Sequence, residues 1–247
     1  MFFGNRGDRD CGHGTSEVVK VIQDLESQGI PSCITGARAL VYYGVGKVPQ
    51  DWEVAVPDEL FEKATTLFVH SLDYKTLEPA TPQPKSLVHT YPLFKLKGAE
   101  FTFALVPTFQ SSVDCDPTKC ERSHNGIPYP QLRYFVQSLL DTQKYADLED
   151  LIDGMNLDEA WGAENLDLDG VPREHINRKN EKICESLPGL PGLMASLSTT
   201  PDARREWAQA LQGKRSRMVP KYPEDKYATR FRLLESPDPR LDLDREV

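Results

Sequence analysis

The amino-acid sequence predicts an α/β (α+β) fold, in which a small mixed sheet with helices is followed by a helical C-terminal half. Two observations lead to this prediction. Before residue 107, short apolar segments show the two-residue alternation of strands. Beyond residue 127, apolar residues recur at the 3.6-residue period of a helix. The change of period separates a predicted α/β core from a predicted helical region.

The predicted α/β core covers residues 15–110 and follows a predicted flexible tail, residues 1–14. An apolar stripe at helical spacing indicates a first helix, which ends at Gly29. A short apolar strand follows Pro31 and ends at Gly36, after which a second short helix begins.

Two further strands complete this core. Apolar residues alternate with others from Trp52 to Val56, and Pro57 ends the strand. An apolar stripe over residues 60–68 then predicts a helix. A second clear strand runs from residue 101 to 106 and stops at Pro107.

The C-terminal half divides into three predicted parts. A polar, turn-rich loop covers residues 111–126, a helical region covers 127–202, and a basic, aromatic segment with a tail covers 203–247. The predicted helices lie at 132–140, 148–155, 174–187 and 201–212.

The composition excludes several classes of protein. No apolar run approaches the roughly 18–20 residues that span a bilayer, and the first residues are broken by charges and glycines, unlike a signal peptide. We therefore expect a cytoplasmic protein without a membrane partner, whose five cysteines are reduced thiols. The formal net charge of −9 argues against a general nucleic-acid coat protein and against DNA as a partner.

The charge is unevenly distributed along the chain. Residues 203–232 contain nine basic and three acidic residues, a net charge of +6, with aromatic residues between them. Such stretches bind phosphate backbones and stack exposed bases, so one hypothesis is contact with RNA. The alternative is a segment that folds against the acidic remainder of the chain. The candidate tRNA-binding residues are Arg204, Arg205, Lys214, Arg215, Arg217 and Lys221.

The segment from Thr35 to Val54 has the pattern of a functional site. A strand leads into a turn at Gly36, a helix follows, and the next strand opens with Asp51-Trp52-Glu53. Because residues two apart on a strand share a face, the two carboxylates should project together. Such a pair suits a hard divalent cation or a guanidinium group. The glycine turn should let backbone amides approach a phosphate. The alternative is that both carboxylates are surface residues of an edge strand.

This pattern resembles the nucleotidyltransferase superfamily, whose signature is a Gly-Gly or Gly-Ser turn, a helix, and Asp-x-Asp or Asp-x-Glu on a strand. The turn here is Gly-Ala, and the resemblance covers residues 17–107. It implies a nucleotidyltransferase-like fold in which Asp51 and Glu53 hold Mg²⁺. A third carboxylate comes from a neighbouring strand in that superfamily, and Glu100 is the candidate. The candidate substrate-binding residues are Gly36, Ala37, Arg38 and Lys47.

Three stretches point to a narrower group. They are Gly-Ala-x-Ala-Leu-x-Tyr-Tyr-Gly (36–44), Asp-Trp-Glu-Val (51–54) and Leu-Ile-Asp-Gly-Met-Asn-Leu-x-x-x-Trp-Gly-x-x-Asn-Leu-x-Leu (151–168). Together they resemble proteins of filamentous fungi encoded beside secondary-metabolism genes, the group that contains the arginine-containing cyclodipeptide synthases. This resemblance implies an enzyme that condenses arginine from arginyl-tRNA with a second amino acid and requires no cofactor. Its catalytic candidates are Asp51, Glu53 and Glu100.

The sequence thus leaves three functions open. They are a tRNA-dependent synthase, a Mg²⁺-dependent nucleotidyltransferase, and a non-catalytic module that keeps the fold and binds a protein partner. Two smaller groups of residues have the side chains of other sites, the first those of a zinc site and the second those of a nucleophilic hydroxyl. They are Cys115, Cys120 and His124, and Ser32, Thr35 and Thr102.

Overall fold

The structure is a computed structural model of the chain. It describes residues 14–48, 51–79, 87–187, 197, 199–218 and 221–242. Apart from Gly14, the predicted flexible tail therefore lies outside the described residues, as do residues 243–247 of the basic, aromatic segment.

Five of the described strands form one central sheet. They are β1 (Cys33–Thr35), β2 (Trp52–Val56), β3 (Tyr74–Leu77), β4 (Leu93–Leu96) and β5 (Thr102–Pro107), in the spatial order β1-β2-β5-β4-β3. Strands β2 and β5 run parallel, whereas the other neighbours run antiparallel. The sheet is therefore mixed, as the sequence predicts. Two small hairpins pair β6 (Cys120–Arg122) with β7 (Pro128–Pro130) and β8 (Tyr227–Thr229) with β9 (Arg232–Leu233).

The described helices follow the apolar stripes of the sequence. The first half contains α1 (Thr15–Ser27), α2 (Gly36–Tyr42), α3 (Phe61–His70) and α4 (Thr108–Ser111), and the second half contains α5 (Leu132–Asp141), α6 (Tyr145–Met155), α7 (Glu159–Asn165), α8 (Arg173–Ser186) and α9 (Ala203–Met218). The predicted helical C-terminal half is confirmed. Among the described residues, no helix has both the length and the apolar character required to cross a membrane.

One hydrophobic core joins the two halves. It contains Val54 of β2 and Leu105 of β5, and it continues into Leu140 of α5, Leu151 of α6 and Trp207 of α9. The change of period near residue 107 therefore marks a change of architecture within one core. Because the helices pack directly on the sheet elements, they can contribute residues to a site at the sheet.

The hairpin of β6 and β7 differs from the loop predicted over residues 111–126. Strand β6 lies inside that range, and Cys120 is opposite Pro130 in its register. A proline lacks the backbone donor that a strand normally uses, so the two prolines of β7 argue against a strand in the sequence. A three-residue strand paired with such a partner leaves no periodic signal.

The basic segment is held on α6 by buried ion pairs. Asp153 of α6, with a side chain only 1% exposed, accepts hydrogen bonds from Nε and Nη2 of Arg217 at 2.7 and 2.9 Å. Arg230 Nε lies 2.7 Å from the same carboxylate, and its Nη2 donates to Asp150 at 2.6 Å. Lys47, from the connection between α2 and β2, pairs with Asp150 at 2.9 Å. These pairs tie the C-terminal segment to the body of the protein.

Five other cations of the basic segment also have contacts within the chain. The polar pairs are Arg204 with Asp169, Arg205 with Glu206, Arg215 with Glu224 and Lys214 with Asn156. Lys221 Nζ lies 5.6 Å from the ring centroid of Tyr222. Arg204 and Lys214 contact residues outside the segment, whereas Glu206, Glu224 and Tyr222 belong to the segment itself. Pairs on the exposed surface are weak, so their cations remain accessible to a polyanion.

Replacing the buried carboxylate should strongly destabilise the protein. We expect Asp153→Asn to lower the free energy of unfolding by about 3–5 kcal/mol. It removes the carboxylate that pairs with two nitrogens of Arg217, and it leaves Arg230 with Asp150 alone. The matched control is Asp169→Asn, since this carboxylate is 83% exposed and its pair with Arg204 should contribute at most about 1 kcal/mol. Urea unfolding of both variants measures the difference, and equal losses would contradict a structural role for the buried network.

Candidate active site

A cavity of about 750 Å³ lies between the sheet and the helical half. Residues of β2, β4 and β5 line one side of it, and the α5–α6 turn, α8 and the start of α9 line the other. This volume falls within the range of small-molecule and cofactor sites, about 300–1,000 Å³. The cavity is therefore large enough to hold a substrate between the two halves.

The predicted acidic pair lies on the sheet side of the cavity. Asp51 directly precedes β2 and Glu53 is the second residue of that strand, and both line the cavity. Trp52 between them is buried, as the alternation of a strand requires. Thr102 of β5 donates its hydroxyl hydrogen to Asp51. The structure thus brings the two carboxylates together at one cavity, and a neighbouring strand holds one of them in place.

Gly36 makes room for the Glu53 carboxylate. The φ angle of Gly36 is +64°, a conformation that favours glycine, and the β1–β2 register places Thr35 opposite Glu53. A Cβ atom added to Gly36 would lie 2.5 Å from Glu53 Oε1. We expected a phosphate to approach this turn, but the Glu53 carboxylate already occupies the space beside it.

Glu100, the candidate third carboxylate, does not join the pair. Its carboxylate contacts Lys95 at 2.9 Å, and its side chain is 96% exposed. Strand β5 begins only at Thr102, so Glu100 lies in the preceding turn, and the residues of β5 beside the acidic pair are Thr102 and Ala104. In the part of the chain that the structure describes, no three His, Cys, Asp or Glu side chains are grouped to hold a metal.

The donor set is nevertheless compatible with one magnesium ion. Mg²⁺ in proteins is commonly held by one or two carboxylates together with substrate phosphates and water. Asp51 and Glu53 supply two carboxylates at an open cavity. The remaining ligands would therefore have to come from the substrate and the solvent.

Three cations line the helical side of the cavity. They are Lys144, which precedes α6, Lys179 of α8 and Arg205 of α9. Sequence reasoning identified Arg205 through the basic segment, but it missed both lysines. Neither is part of a motif: Lys144 is a single cation between two predicted helices, and Lys179 follows Arg178 within a predicted helix. Glu206 lines the same side and pairs with Arg205 at 2.7 Å. The sheet side of the cavity is thus acidic, and the helical side has three cations against one carboxylate.

Arg38 lies near the acidic pair but does not line the cavity. Its guanidinium carbon is 4.5 Å from the ring centroid of Trp52. Burial lowers the pKa of this guanidinium, whereas the charges of Tyr129 and Asp51 oppose the shift. Arg38 is therefore an electrostatic neighbour of Asp51 that packs on Trp52.

The other two predicted substrate-binding residues are also absent from the cavity wall. Ala37 is half-buried in α2. Lys47 donates to Asp147 at 2.6 Å and pairs with Asp150, so its charge is neutralised by α6. The structure gives Lys47 a role in joining the two halves.

Two polar atoms at the cavity are buried without a hydrogen-bond partner among the described residues. They are the hydroxyl oxygen of Tyr91 and Oε1 of Gln110. Burial raises the pKa of the Tyr91 phenol, so the hydroxyl keeps its proton at neutral pH. Leaving a buried polar group unpaired costs about 1–3 kcal/mol. Tyr91 and Gln110, which sequence reasoning missed, are therefore candidate ligand contacts.

The smaller sequence candidates do not form a second catalytic site. His124 is exposed, and Cys115 and Cys120 belong to no metal-binding group of the described residues. The hydroxyls of Ser32 and Thr35 are buried and lie outside the cavity wall.

Comparisons with known proteins give distant structural matches. No protein-family model and no curated protein matches the chain. The crystal structure of ANT(2")-Ia in complex with adenylyl-2"-tobramycin is 12% identical, with a TM-score of 0.36 over 80% of this chain and 98% of that chain. A provisionally named nucleotidyltransferase from H. pylori is 11% identical, with a TM-score of 0.37 over 83% and 95%. At these TM-scores, the function has to be argued from the geometry of the chain itself.

Replacing Gly36 should displace the Glu53 carboxylate. In Gly36→Ala, the new methyl group would overlap that carboxylate, in addition to the strain of about 1–2 kcal/mol from the left-handed backbone. Gly29→Ala is the matched control, because its φ is +68° and no heavy atom lies within 4 Å of the added Cβ. Urea unfolding should show a larger loss for Gly36→Ala. Equal losses of unfolding free energy in the two variants would mean that the Glu53 carboxylate moves away from the added methyl group without a cost.

Proposed function

We propose that the chain is a tRNA-dependent synthase that condenses arginine from arginyl-tRNA with a second amino acid into a cyclodipeptide. The observation that supports this function best is the opposite charge of the two sides of one open cavity. An arginyl ester at the 3′ end of a tRNA has the complementary distribution, with a guanidinium group at one end and phosphates at the other. Each side of the cavity therefore carries the charge opposite to that of the part of the substrate that would bind there.

The acidic pair would bind the guanidinium group. A guanidinium is planar and presents five N–H donors in a fork, so it can donate to two neighbouring carboxylates at once. Thr102 orients Asp51, and Gly36 leaves space for Glu53. Both carboxylates are thus positioned before the substrate arrives.

The basic side would bind the phosphates of the tRNA end. Lys144, Lys179 and Arg205 line it, and cations of this kind bind phosphate oxygens through charge-assisted hydrogen bonds. Beyond the cavity, Arg204 and Arg215 are exposed on α9 and could contact more distant phosphates. Arg217 is committed to Asp153 and takes no part in this surface.

The reaction forms two amide bonds while two ester bonds break. The second amino acid also enters as an aminoacyl-tRNA ester, and its α-amine attacks the ester carbonyl of arginyl-tRNA. The carbon–oxygen bond breaks, and the ribose hydroxyl leaves with a proton from the amine. The α-amine of arginine then attacks the second ester carbonyl, which closes the ring and releases the second tRNA. No electron transfer is required, so the proposed reaction needs no redox cofactor.

Mg²⁺-dependent nucleotidyl transfer is the second candidate function. The observation that favours it is that Asp51 and Glu53 face cations suited to a triphosphate. The two carboxylates would hold Mg²⁺, which when bound would neutralise the triphosphate and polarise the reacting phosphorus. The missing third carboxylate beside the pair makes this candidate the weaker one.

A non-catalytic module is disfavoured by the open cavity. A surface that only binds a protein would not require about 750 Å³ of internal space. The buried polar atoms of Tyr91 and Gln110 are available to polar groups of a ligand in this region.

Cells that express the chain should accumulate an arginine-containing diketopiperazine. Asp51→Asn and Glu53→Gln should each lower its yield roughly tenfold to hundredfold, because a hydrogen bond to a charged group is worth about 1.5–3 kcal/mol. Glu78→Gln is the matched control, since this exposed glutamate follows β3 away from the cavity. Mass spectrometry of culture extracts measures the product. Its absence with a folded wild-type protein would contradict the synthase function.

Thermal melts separate the two candidate functions. A synthase should be stabilised by arginine methyl ester, and added Mg²⁺ should have little effect. A nucleotidyltransferase should be stabilised by Mg²⁺ with a nucleoside triphosphate, and Asp51→Asn should remove that effect. If Mg²⁺ with a nucleoside triphosphate stabilises the protein and arginine methyl ester does not, nucleotidyl transfer would replace the synthase as the proposed function.

Binding of tRNA should depend on salt through the basic side of the cavity. The triple variant Lys144→Ala, Lys179→Ala and Arg205→Ala should reduce the slope of log affinity against log salt by about 2–3, since each lost phosphate contact removes roughly 0.7–0.9. The matched control replaces the exposed Lys63, Lys75 and Lys97 of the first half and should leave the slope unchanged. Filter binding at several salt concentrations measures the slope for the wild type and for both triple variants. If the cavity variant has the same slope as the wild type, the cavity cations do not contact phosphates.

A further inference from the structure

Three cysteines from two separate parts of the sequence meet beside the central sheet. Cys33 of β1 and Cys115 lie in a small buried cluster with Ala55 of β2, and Cys120 of β6 packs against that cluster. Cys33 is opposite Ala55 in the strand register, and Cys115 Sγ lies 3.4 Å from the Ala55 carbonyl oxygen. Cys33 and Cys120 are close enough for a hydrogen bond between their side chains. The β6–β7 hairpin, which the sequence did not predict, creates this arrangement.

The cluster is accessible from one side. Cys33 and Cys115 are buried, whereas Cys120 is half-buried. Cys115 and Cys120 line a groove of about 290 Å³ between α1 and the β6–β7 hairpin. A small solute can therefore reach Cys120 through this groove, while Cys33 lies behind it.

The three thiols differ in their tendency to ionise. The hydrogen bond with Cys33 lowers the pKa of the Cys120 thiol, and burial and the carboxylates of Asp114 and Asp116 oppose this shift. Burial raises the pKa of Cys33 and that of Cys115. Since the thiolate is the reactive form of cysteine, Cys120 should react before the other two.

We propose that Cys120 and Cys33 form a reversible disulfide when the protein meets a peroxide. The Cys120 thiolate attacks one peroxide oxygen, the O–O bond breaks, and hydroxide leaves and takes up a proton to form water. Cys120 is then a sulfenic acid. The sulfur of Cys33 attacks it, the S–O bond breaks, and a second water leaves with the Cys33 proton. Two thiols are oxidised to one disulfide, and one peroxide is reduced to two waters.

The disulfide would join β6 to β1 close to the acidic pair. Thr35, two residues after Cys33 on the same short strand, is opposite Glu53 in the register. Gly36, which makes room for the Glu53 carboxylate, follows directly. Oxidation would therefore fix the strand that supports the candidate site. The disulfide does not depend on which reaction the site performs.

Peptide mapping can identify the bond because trypsin separates the three cysteines. Cleavage at lysine and arginine leaves Cys33 in residues 21–38, Cys115 in 98–119 and Cys120 in 120–122. The folded protein is treated with one equivalent of hydrogen peroxide, its remaining thiols are alkylated, and it is then digested. Mass spectrometry should find 21–38 linked to 120–122, and dithiothreitol should release the two peptides. A link from 98–119 to 120–122, or no link, would overturn the proposal.

Variants provide the matched controls. Cys120→Ser and Cys33→Ala should abolish the cross-link, whereas Cys115→Ala should retain it. Cys184→Ser is the control outside the cluster, since Cys184 lies on α8, and it should retain the cross-link as well.

Peroxide should raise the melting temperature of the wild type and of Cys184→Ser, because a disulfide restricts the unfolded chain, but not that of Cys120→Ser. Loss of the cross-link in Cys184→Ser, or an equal rise in Cys120→Ser, would contradict the proposed pair. The mapping of wild-type protein decides the proposal even if a variant fails to fold.

Discussion

The buried carboxylate of Asp153 determines where the C-terminal segment lies. Arg217 of α9 and Arg230 of the β8–β9 hairpin converge on this one side chain. A buried charge is tolerated when it is paired with an opposite charge. Removing one partner leaves the other charge buried and unpaired, which strongly destabilises the fold. Helix α9 is thereby fixed on α6, and its first turns place Arg205 at the cavity. The basic side of the candidate site thus depends on an ion pair that lies outside it.

Helix α6 links this network to the rest of the site. Lys144 directly precedes the helix and lines the cavity, while Asp147 and Asp150 on the helix bind Lys47 from the connection between α2 and β2. One acidic helix therefore attracts cations from the sheet half and from the basic segment at the same time. This explains why an acidic chain contains a basic segment whose charges are largely paired. It also explains why Lys47, a predicted substrate contact, serves to join the two halves.

The sequence predicted those features that depend on local periodicity. The alternation from Trp52 to Val56 and the apolar stripes of the second half identified strand β2 and the helices, and strand geometry placed Asp51 and Glu53 on one face. The sequence did not predict features that depend on contacts between residues far apart in the chain. Strand β6 has three residues and gains its hydrogen bonds from a proline-containing partner. Lys144 and Lys179 become neighbours of the acidic pair only when the helices pack on the sheet. Glu100 has the right residue type, but the strand begins two residues too late to include it.

The opposite charges of the cavity restrict the ligands that it can accept. A ligand with phosphates alone would satisfy Lys144, Lys179 and Arg205 but would set its negative charge against Asp51 and Glu53. A ligand with a cation alone would place no negative charge beside Lys144, Lys179 and Arg205, of which Arg205 already pairs with Glu206. A ligand that carries a cationic and an anionic group matches both sides of the cavity, either in one covalent unit, as in an arginyl ester of tRNA, or as a nucleotide accompanied by a metal ion. Because Thr102 and Ala104 occupy the positions where a further carboxylate would assist a metal ion, the covalent unit is the better match.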